Sequence, residues 1–188
     1  MRLFVAIDIP DAIRAAIAAL THRLRELSPA PRWVRIEGAH VTLKFIGETP
    51  DERAERIRSA LRNARASAPI DLHFAGLGFF PSPHRPRVLW AGVTAGIGLH
   101  ELAASIETIL EPLGVPRETR EFSPHITLAR INSPQRLDAL RAAVEKECTQ
   151  EFGRTTVREF HLYQSVLKPR GAEYNQLANY QIFGETAD

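Results

Sequence analysis

A chain of 188 residues with 44% hydrophobic and 24% charged side chains can bury about 70% of its unfolded surface without staples, and none of its apolar runs approaches the ~20 residues of a membrane span. Cys148 is the only cysteine, which excludes an intramolecular disulfide and a four-cysteine zinc site and points to a cytoplasmic protein. A net charge of +2 selects no partner by itself, because the arrangement of charge decides what binds; the excess of Arg over Lys suits phosphate contacts and a GC-rich genome equally.

The chain opens on Leu3-Phe4-Val5-Ala6-Ile7, a run of strand formers followed by Asp8 and Asp11 with no cleavage signal. It is read as a first strand and not as a signal peptide. Ile13, Ile17, Leu20, Leu24 and Leu27 recur at spacings of three and four, the stripe of an amphipathic helix. His40-Val41-Thr42-Leu43-Lys44-Phe45-Ile46-Gly47 forms the next strand. Thr49-Pro50-Asp51-Glu52 starts a helix whose stripe is Ile57, Leu61 and Ala64. Asp71–Phe74 and Gly78–Phe80 are two further short strands, and the Pro-rich stretch 81–86 is the natural junction.

The second half repeats this order. Val88–Val93 is a strand. Leu99, Leu102, Ile106, Ile109, Leu110 and Leu113 mark a helix closed by Gly114. His125-Ile126-Thr127-Leu128-Ala129-Arg130 is a strand. Ser133-Pro134 opens a helix through Leu137, Leu140 and Val144, and Thr156–Tyr163 and Tyr174–Phe183 are the final strands. The histidines lie 85 residues apart (125 − 40), as do the first strands counted from Leu3 and Val88 (88 − 3). The expected architecture is α+β: a single bilobal domain over 1–188, with an internal repeat of roughly 1–80 and 86–165 and C-terminal strands within 156–183. Each of its two pseudo-symmetric lobes is a mostly antiparallel sheet with helices on the outer face, and the lobes meet around a central groove.

A strand places residues i and i+2 on one face, so His40 joins Thr42 and His125 joins Thr127, while Val41, Leu43, Ile126 and Leu128 point into apolar packing. One His-x-Thr means little; two at equivalent places in a duplicated unit point to paired acid–base chemistry. Histidine titrates near ~6.5 and can serve as either acid or base. Opening a cyclic phosphodiester needs both, on opposite sides of phosphorus, and the threonine hydroxyls can donate to the non-bridging oxygens where charge accumulates. No metal is then required. His22, His73, His84, His100 and His161 share no ligand spacing, and neither H-E-x-x-H nor C-x-x-C occurs, so no metal or cofactor is expected. His22 and His100 read as exposed helix residues, and Trp33 and Trp90 as core or lobe-interface residues. Lys168 and Arg170, in a Lys-Pro-Arg-Gly turn, could extend a positive rim.

The motifs H-V-T-L-K-F-I-G and H-I-T-L-A-R, with R-L-F-V-A-I-D-I-P, V-L-W-A-G-V and L-Y-Q-S-V-L-K-P-R-G-A-E-Y, resemble the 2H phosphoesterase superfamily across essentially the whole chain. Within it the likeness is to the bacterial RNA 2′,3′-cyclic phosphodiesterases, historically called 2′-5′ RNA ligases. The resemblance implies hydrolysis of a cyclic phosphate at an RNA end to a 2′-phosphomonoester, with O3′ leaving. It implies His40 as proton donor, His125 as proton acceptor, and Thr42 and Thr127 as phosphate holders. It further implies that Phe45 and Arg130, each five residues past its histidine, flank the nucleobase; Tyr163 and Gln164, near the Lys-Pro-Arg-Gly turn, are read from the chain itself as lining the groove. Five is odd, so Phe45 and Arg130 reach the groove only if their strands twist or bulge. An RNA end is the expected partner, with no membrane and no obligatory protein partner, and the chain is expected to be a monomer. Alternatives are reversible 2′-5′ RNA ligation, a small cyclic-phosphate substrate, a metal-dependent phosphatase, and an RNA-end-binding protein without turnover.

Overall fold

The computed structural model describes residues 1–133, 136–168 and 171–183. Nine strands and four helices are seen among them: β1 (Arg2–Asp8), α1 (Asp11–Leu27), β2 (Arg32–Trp33), β3 (His40–Glu48), α2 (Asp51–Ala60), β4 (Ile70–Phe80), β5 (Val88–Ala95), α3 (Ile97–Leu110), β6 (His125–Arg130), α4 (Asp138–Lys146), β7 (Glu151–Val157), β8 (Glu159–Lys168) and β9 (Gly171–Gln181). The architecture is α+β, with two antiparallel sheets ordered β3-β1-β8-β9 and β2-β6-β5-β4-β7. No helix among the described residues is long and apolar enough to cross a membrane.

The helices follow their apolar stripes. Ile13, Ile17, Leu20 and Leu24 bury the inner face of α1, although Leu27 ends it exposed. The chain leaves α3 through a 3₁₀ turn closed by Gly114 at φ +80°, a left-handed position where glycine carries no Cβ penalty. Helix α4 starts at Asp138, later than Ser133-Pro134 suggests, because Arg136 adopts φ +59°, which a right-handed helix cannot contain. Pro134 itself lies outside the described residues, as does Arg170 of the Lys-Pro-Arg-Gly turn.

The halves exchange strands: β2 and β4 join the second sheet and β8 the first. Strand β4 pairs with β5 and β7, while β8 pairs with β1 and β9. The segments read as two short strands at 71–74 and 78–80 are one strand, bent by a bulge between Phe74 and Leu77 where Gly76 sits at φ +81°. The single strand expected over Thr156–Tyr163 is divided at Arg158, and its two parts enter different sheets. One apolar core joins the layers, from Leu3, Val5, Ile7, Val41 and Phe160 of the first sheet to Phe74, Leu89, Ala91, Ile126 and Leu128 of the second.

Register matches the two motif strands to each other. Asp8 pairs with His40 and Gly92 with His125; Ala6 pairs with Thr42 and Trp90 with Thr127. The first strands are therefore offset by 84 residues (92 − 8), one fewer than the histidine strands, and Leu3 and Val88 are not equivalent. A one-residue difference exchanges the two faces of a strand, so Phe4 is groove-facing while Leu89 is in the core.

Candidate active site

Strands β3 and β6 lie against one another across the two sheets and carry the two His-x-Thr motifs at their starts. Both alternate in the same way: His half-buried, Val41 or Ile126 buried, Thr half-buried, Leu43 or Leu128 buried. Full burial of each aliphatic chain contributes about 1.5–3 kcal/mol, which fixes which face each strand turns to the groove.

The two imidazoles are anchored alike. His40 Nδ1 lies 2.8 Å from the carbonyl of Gly38, and His125 Nδ1 lies 2.8 Å from the carbonyl of Ser123, each two residues upstream. A carbonyl only accepts, so Nδ1 carries the hydrogen in both rings and the neutral form leaves its lone pair on Nε2. The local chain thus leaves Nε2 of each histidine as the ring nitrogen not engaged by its own backbone. Neither threonine hydroxyl has a hydrogen-bond partner among the described residues, which leaves both free to donate to a ligand.

The odd spacing to Phe45 and Arg130 is resolved by bulges. In β3, Ala6 pairs with Thr42 but Val5 with Lys44, so Leu43 is an extra residue; in β6, Trp90 pairs with Thr127 but Leu89 with Ala129, so Leu128 is extra. Each insertion reverses the alternation. Phe45 and Arg130 return to the face of the histidine and are exposed, Phe45 at 57%. For an aromatic ring that exposure is unusual and excludes core packing as its role.

The surroundings of the two histidines differ. His40 stacks on Phe4 at 4.6 Å between centroids, with Tyr163 parallel at 6.3 Å and Tyr174 edge-on at 5.2 Å. Burial lowers its pKa below the ordinary value; the Gly38 carbonyl and the Asp8 carboxylate oppose that shift, and Arg14 adds to it. Among the described residues His125 meets one ring, Phe80, edge-on at 5.0 Å. Phe80 is the register counterpart of Tyr163, since they pair with the equivalent Val88 and Phe4.

A polar network supports the first site. The Tyr163 hydroxyl donates to Asp8 Oδ1 at 2.7 Å, and burial together with that bond raises its pKa, so it stays a donor. The Arg14 guanidinium donates to the carbonyls of Ile36, Glu37 and Ala39 at 3.1, 2.7 and 3.2 Å and to that of Ile9 at 3.0 Å. This fixes the segment that leads into His40. Lys44, 2% exposed in β3, bonds Glu107 of α3 and the carbonyl of Pro116, both at 2.7 Å, and so ties β3 to the loop that leads into His125.

The sequence reading did not find Tyr174, Arg14, Asp8 or His161. Tyr174 reaches His40 only because β9 curls over the sheet edge. His161, one strand beyond Ala6 from Thr42, is buried on the groove side with Nε2 3.7 Å from Asp8. The alternation of β8 could have signalled it, two residues before Tyr163. Gln164 pairs with Leu3 and faces away from the groove, unlike Tyr163. Trp90 is not a core residue: it faces the groove opposite Thr127, and its ring lies where a side chain on Gly78 would stand. Trp33 packs against the core, and His22 and His100 are exposed as expected. Among the described residues no group of three metal-ligating side chains converges.

Two abutting His-x-Thr strands with matched rings are set in a pair of strand-exchanged antiparallel sheets and turn their polar residues to one groove. Residues 9–168 match the 2'-5' RNA ligase superfamily, and the chain belongs to that family. A protein of Archaeoglobus fulgidus named RNA 2',3'-cyclic phosphodiesterase is 36% identical over 183 residues, covering 96% of this chain and all of that one. The crystal structure of a Thermus thermophilus protein, TT0787, superposes with a TM-score of 0.82 at 32% identity, covering 98% of this chain and 100% of the other. Escherichia coli LigT complexed with 3'-AMP gives 0.76 at 27% identity, covering 97% and 98%.

Proposed function

We propose that this chain hydrolyses the 2′,3′-cyclic phosphate of an RNA end to a 2′-phosphomonoester, without a metal, through His40 and His125. The observation that carries the reading is the matched pair of rings, each with Nδ1 held on the carbonyl two residues upstream and Nε2 left for chemistry. Relatives named RNA 2',3'-cyclic phosphodiesterase, similar over nearly the whole chain, support the substrate class.

In this mechanism His125 Nε2 takes a proton from water as the water oxygen bonds to phosphorus. The P–O3′ bond breaks on the opposite side, and O3′ takes a proton from His40 Nε2. The 2′-phosphate remains, and solvent returns the protons. Thr42 and Thr127 donate to the non-bridging oxygens, where negative charge grows in the transition state. Phe45 stacks the terminal base, worth ~1–3 kcal/mol, and Arg130 borders its other side. Tyr163 acts through Asp8, which lies opposite His40 in the strand pair. Burial opposes a proton on His40, and the anionic phosphate favours one, so substrate binding itself charges the donor. The lone cysteine supports a cytoplasmic setting, and we read the chain as a monomer.

The test is turnover of an RNA oligonucleotide ending in a 2′,3′-cyclic phosphate, in EDTA, with wild type, His40→Ala and His125→Ala. A 2′-phosphate product that disappears in both variants is expected. A folded wild type without turnover, or activity that survives loss of both histidines, sinks the reading.

A further inference from the structure

The mechanism above occupies the terminal nucleotide only. A cavity of about 510 Å³ lies elsewhere, at the free edge of β9, lined by Arg58, Arg62 and Arg65 with Ala178, Asn179, Tyr180 and Gln181. The three arginines are exposed: Arg58 and Arg62 stand four apart along α2 and the 3₁₀ turn after it, and Arg65 joins them on the extended segment that follows, all three lining the same cavity. Arg58 shares its charge with Glu55 at 2.7 Å, whereas Arg62 and Arg65 meet no carboxylate among the described residues. In a chain of 24 basic and 22 acidic residues, three guanidinium groups around one cavity are a local concentration and not a reflection of overall charge.

The backbone row through the site ends beside the cavity, and because Tyr180, whose hydroxyl bonds the Arg58 carbonyl, faces away from the groove, an RNA chain meets the arginines by crossing the edge of β9. Thr42 pairs with Ala6, Ala6 with His161 and His161 with Asn179, one row across the sheet. Three strand spacings of ~4.8 Å put Asn179 roughly 14 Å from Thr42 measured along the sheet. A cyclic mononucleotide seated at Thr42 cannot reach that far, but the next nucleotides of a chain can. Strand β9 is also the last of its sheet, so its outer backbone groups are unpaired in the sheet and can join the arginines in holding phosphate oxygens.

We propose that the cleft between α2 and the edge of β9 binds the phosphate backbone of single-stranded RNA, and that Arg58, Arg62 and Arg65 select a polynucleotide over a cyclic mononucleotide. This rests on the cyclic-phosphate reading and adds to it the body of the substrate. The ordinary alternative is that the arginines only solubilise a helix and guard an exposed strand edge against pairing.

The experiment compares two substrates, a cyclic mononucleotide and a single-stranded RNA of about a dozen nucleotides with a cyclic end, across roughly 50–200 mM salt. Wild type is set beside Arg62→Gln/Arg65→Gln, the triple Arg58→Gln/Arg62→Gln/Arg65→Gln, and a charge-matched control, Arg23→Gln/Arg25→Gln, on α1. The fold is preserved in the triple variant because the Tyr180 hydroxyl bonds the backbone carbonyl of Arg58, not its side chain; thermal melting checks this. Each single-strand phosphate contact contributes ~0.7 to the salt slope, so removing three lowers it by about 2, equivalent to roughly 20-fold in KM across that salt range. The expected result is that loss for the long RNA alone, a smaller one in the double variant, and none in the control. A triple variant with the wild-type slope and KM for the long RNA overturns the proposal, as does an equal loss on the mononucleotide. If folded wild type turns over neither substrate, the catalytic reading fails instead, and anisotropy of the labelled long RNA decides the surface by the same criterion.

Discussion

The two histidine strands share one pattern and sit in different surroundings. Around His40 are Phe4, Tyr163 and Tyr174, with Arg14 fastening the approach; around His125 is the edge of Phe80. At the equivalent buried positions just after the bulges stand Lys44, bonded to Glu107, and Ala129, whose methyl side chain makes no hydrogen bond. What both halves retain is the Nδ1 anchor, the threonine and the bulge. What differs is hydration and rigidity. A reaction that needs one acid and one base gains from this divergence, because identical surroundings would give both histidines one affinity for protons.

The most severe way to break the comparison is to remove either ring. His40→Ala and His125→Ala should each lower kcat/KM by ~10²–10⁴ with melting behaviour retained, and the double variant should be little worse, because the pair acts as a unit. Steady-state kinetics on a cyclic-phosphate RNA checks this; two independent, multiplying losses would show that the rings do not act together.

The hydroxyls come next. Thr42→Val and Thr127→Val keep shape and remove one donor, and the expected loss in kcat is ~10²–10³ each, the range for a donor aimed at developing charge. If the losses fall in KM and spare kcat, the threonines hold the substrate without stabilising its transition state.

Lys44→Met sharpens the contrast with Ala129. It strands the Glu107 carboxylate and should destabilise the fold by about 3 kcal/mol, read from the urea midpoint at unchanged slope. Because Lys44 also bonds Pro116, the rate should fall along with stability.

The smallest effect concerns proton affinity. The imidazole of His40, followed by NMR, should titrate below 6.5, and Tyr174→Ala, which readmits water, should move the midpoint upward. The folded state favours neutral His40, so its contribution to stability is complete above the unfolded value of ~6.5 and is lost as pH falls toward the lowered folded value. Tyr174→Ala should flatten that part of the stability–pH curve. A His40 midpoint unmoved by this change would show that Tyr174 does not control its hydration.

Much of this was legible along the chain. The stripe at Ile13, Ile17, Leu20 and Leu24 is a matter of helical period. The pairing of His40 with Thr42 and of His125 with Thr127 follows from the alternation of a strand, and Gly114 was identifiable as a helix stop. These are short-range properties, fixed by backbone geometry and by the gain from burying one face. Even the need for a bulge before Phe45 and Arg130 could be stated from parity, although its position at Leu43 and Leu128 could not.

Other features depend on which strands meet, and no local pattern encodes that. Strand β4 serves the second sheet and β8 the first because each buries its apolar face against the other half, and only that exchange carries Tyr163 and His161 to the side of His40. Tyr174, some 130 residues along the chain from His40, touches it through the curl of β9. The sequence by itself determined the two His-x-Thr pairs and the faces they share, since both arise within a few residues. The tertiary structure alone decided how much water each histidine sees, because hydration is set by neighbours that are distant in the chain.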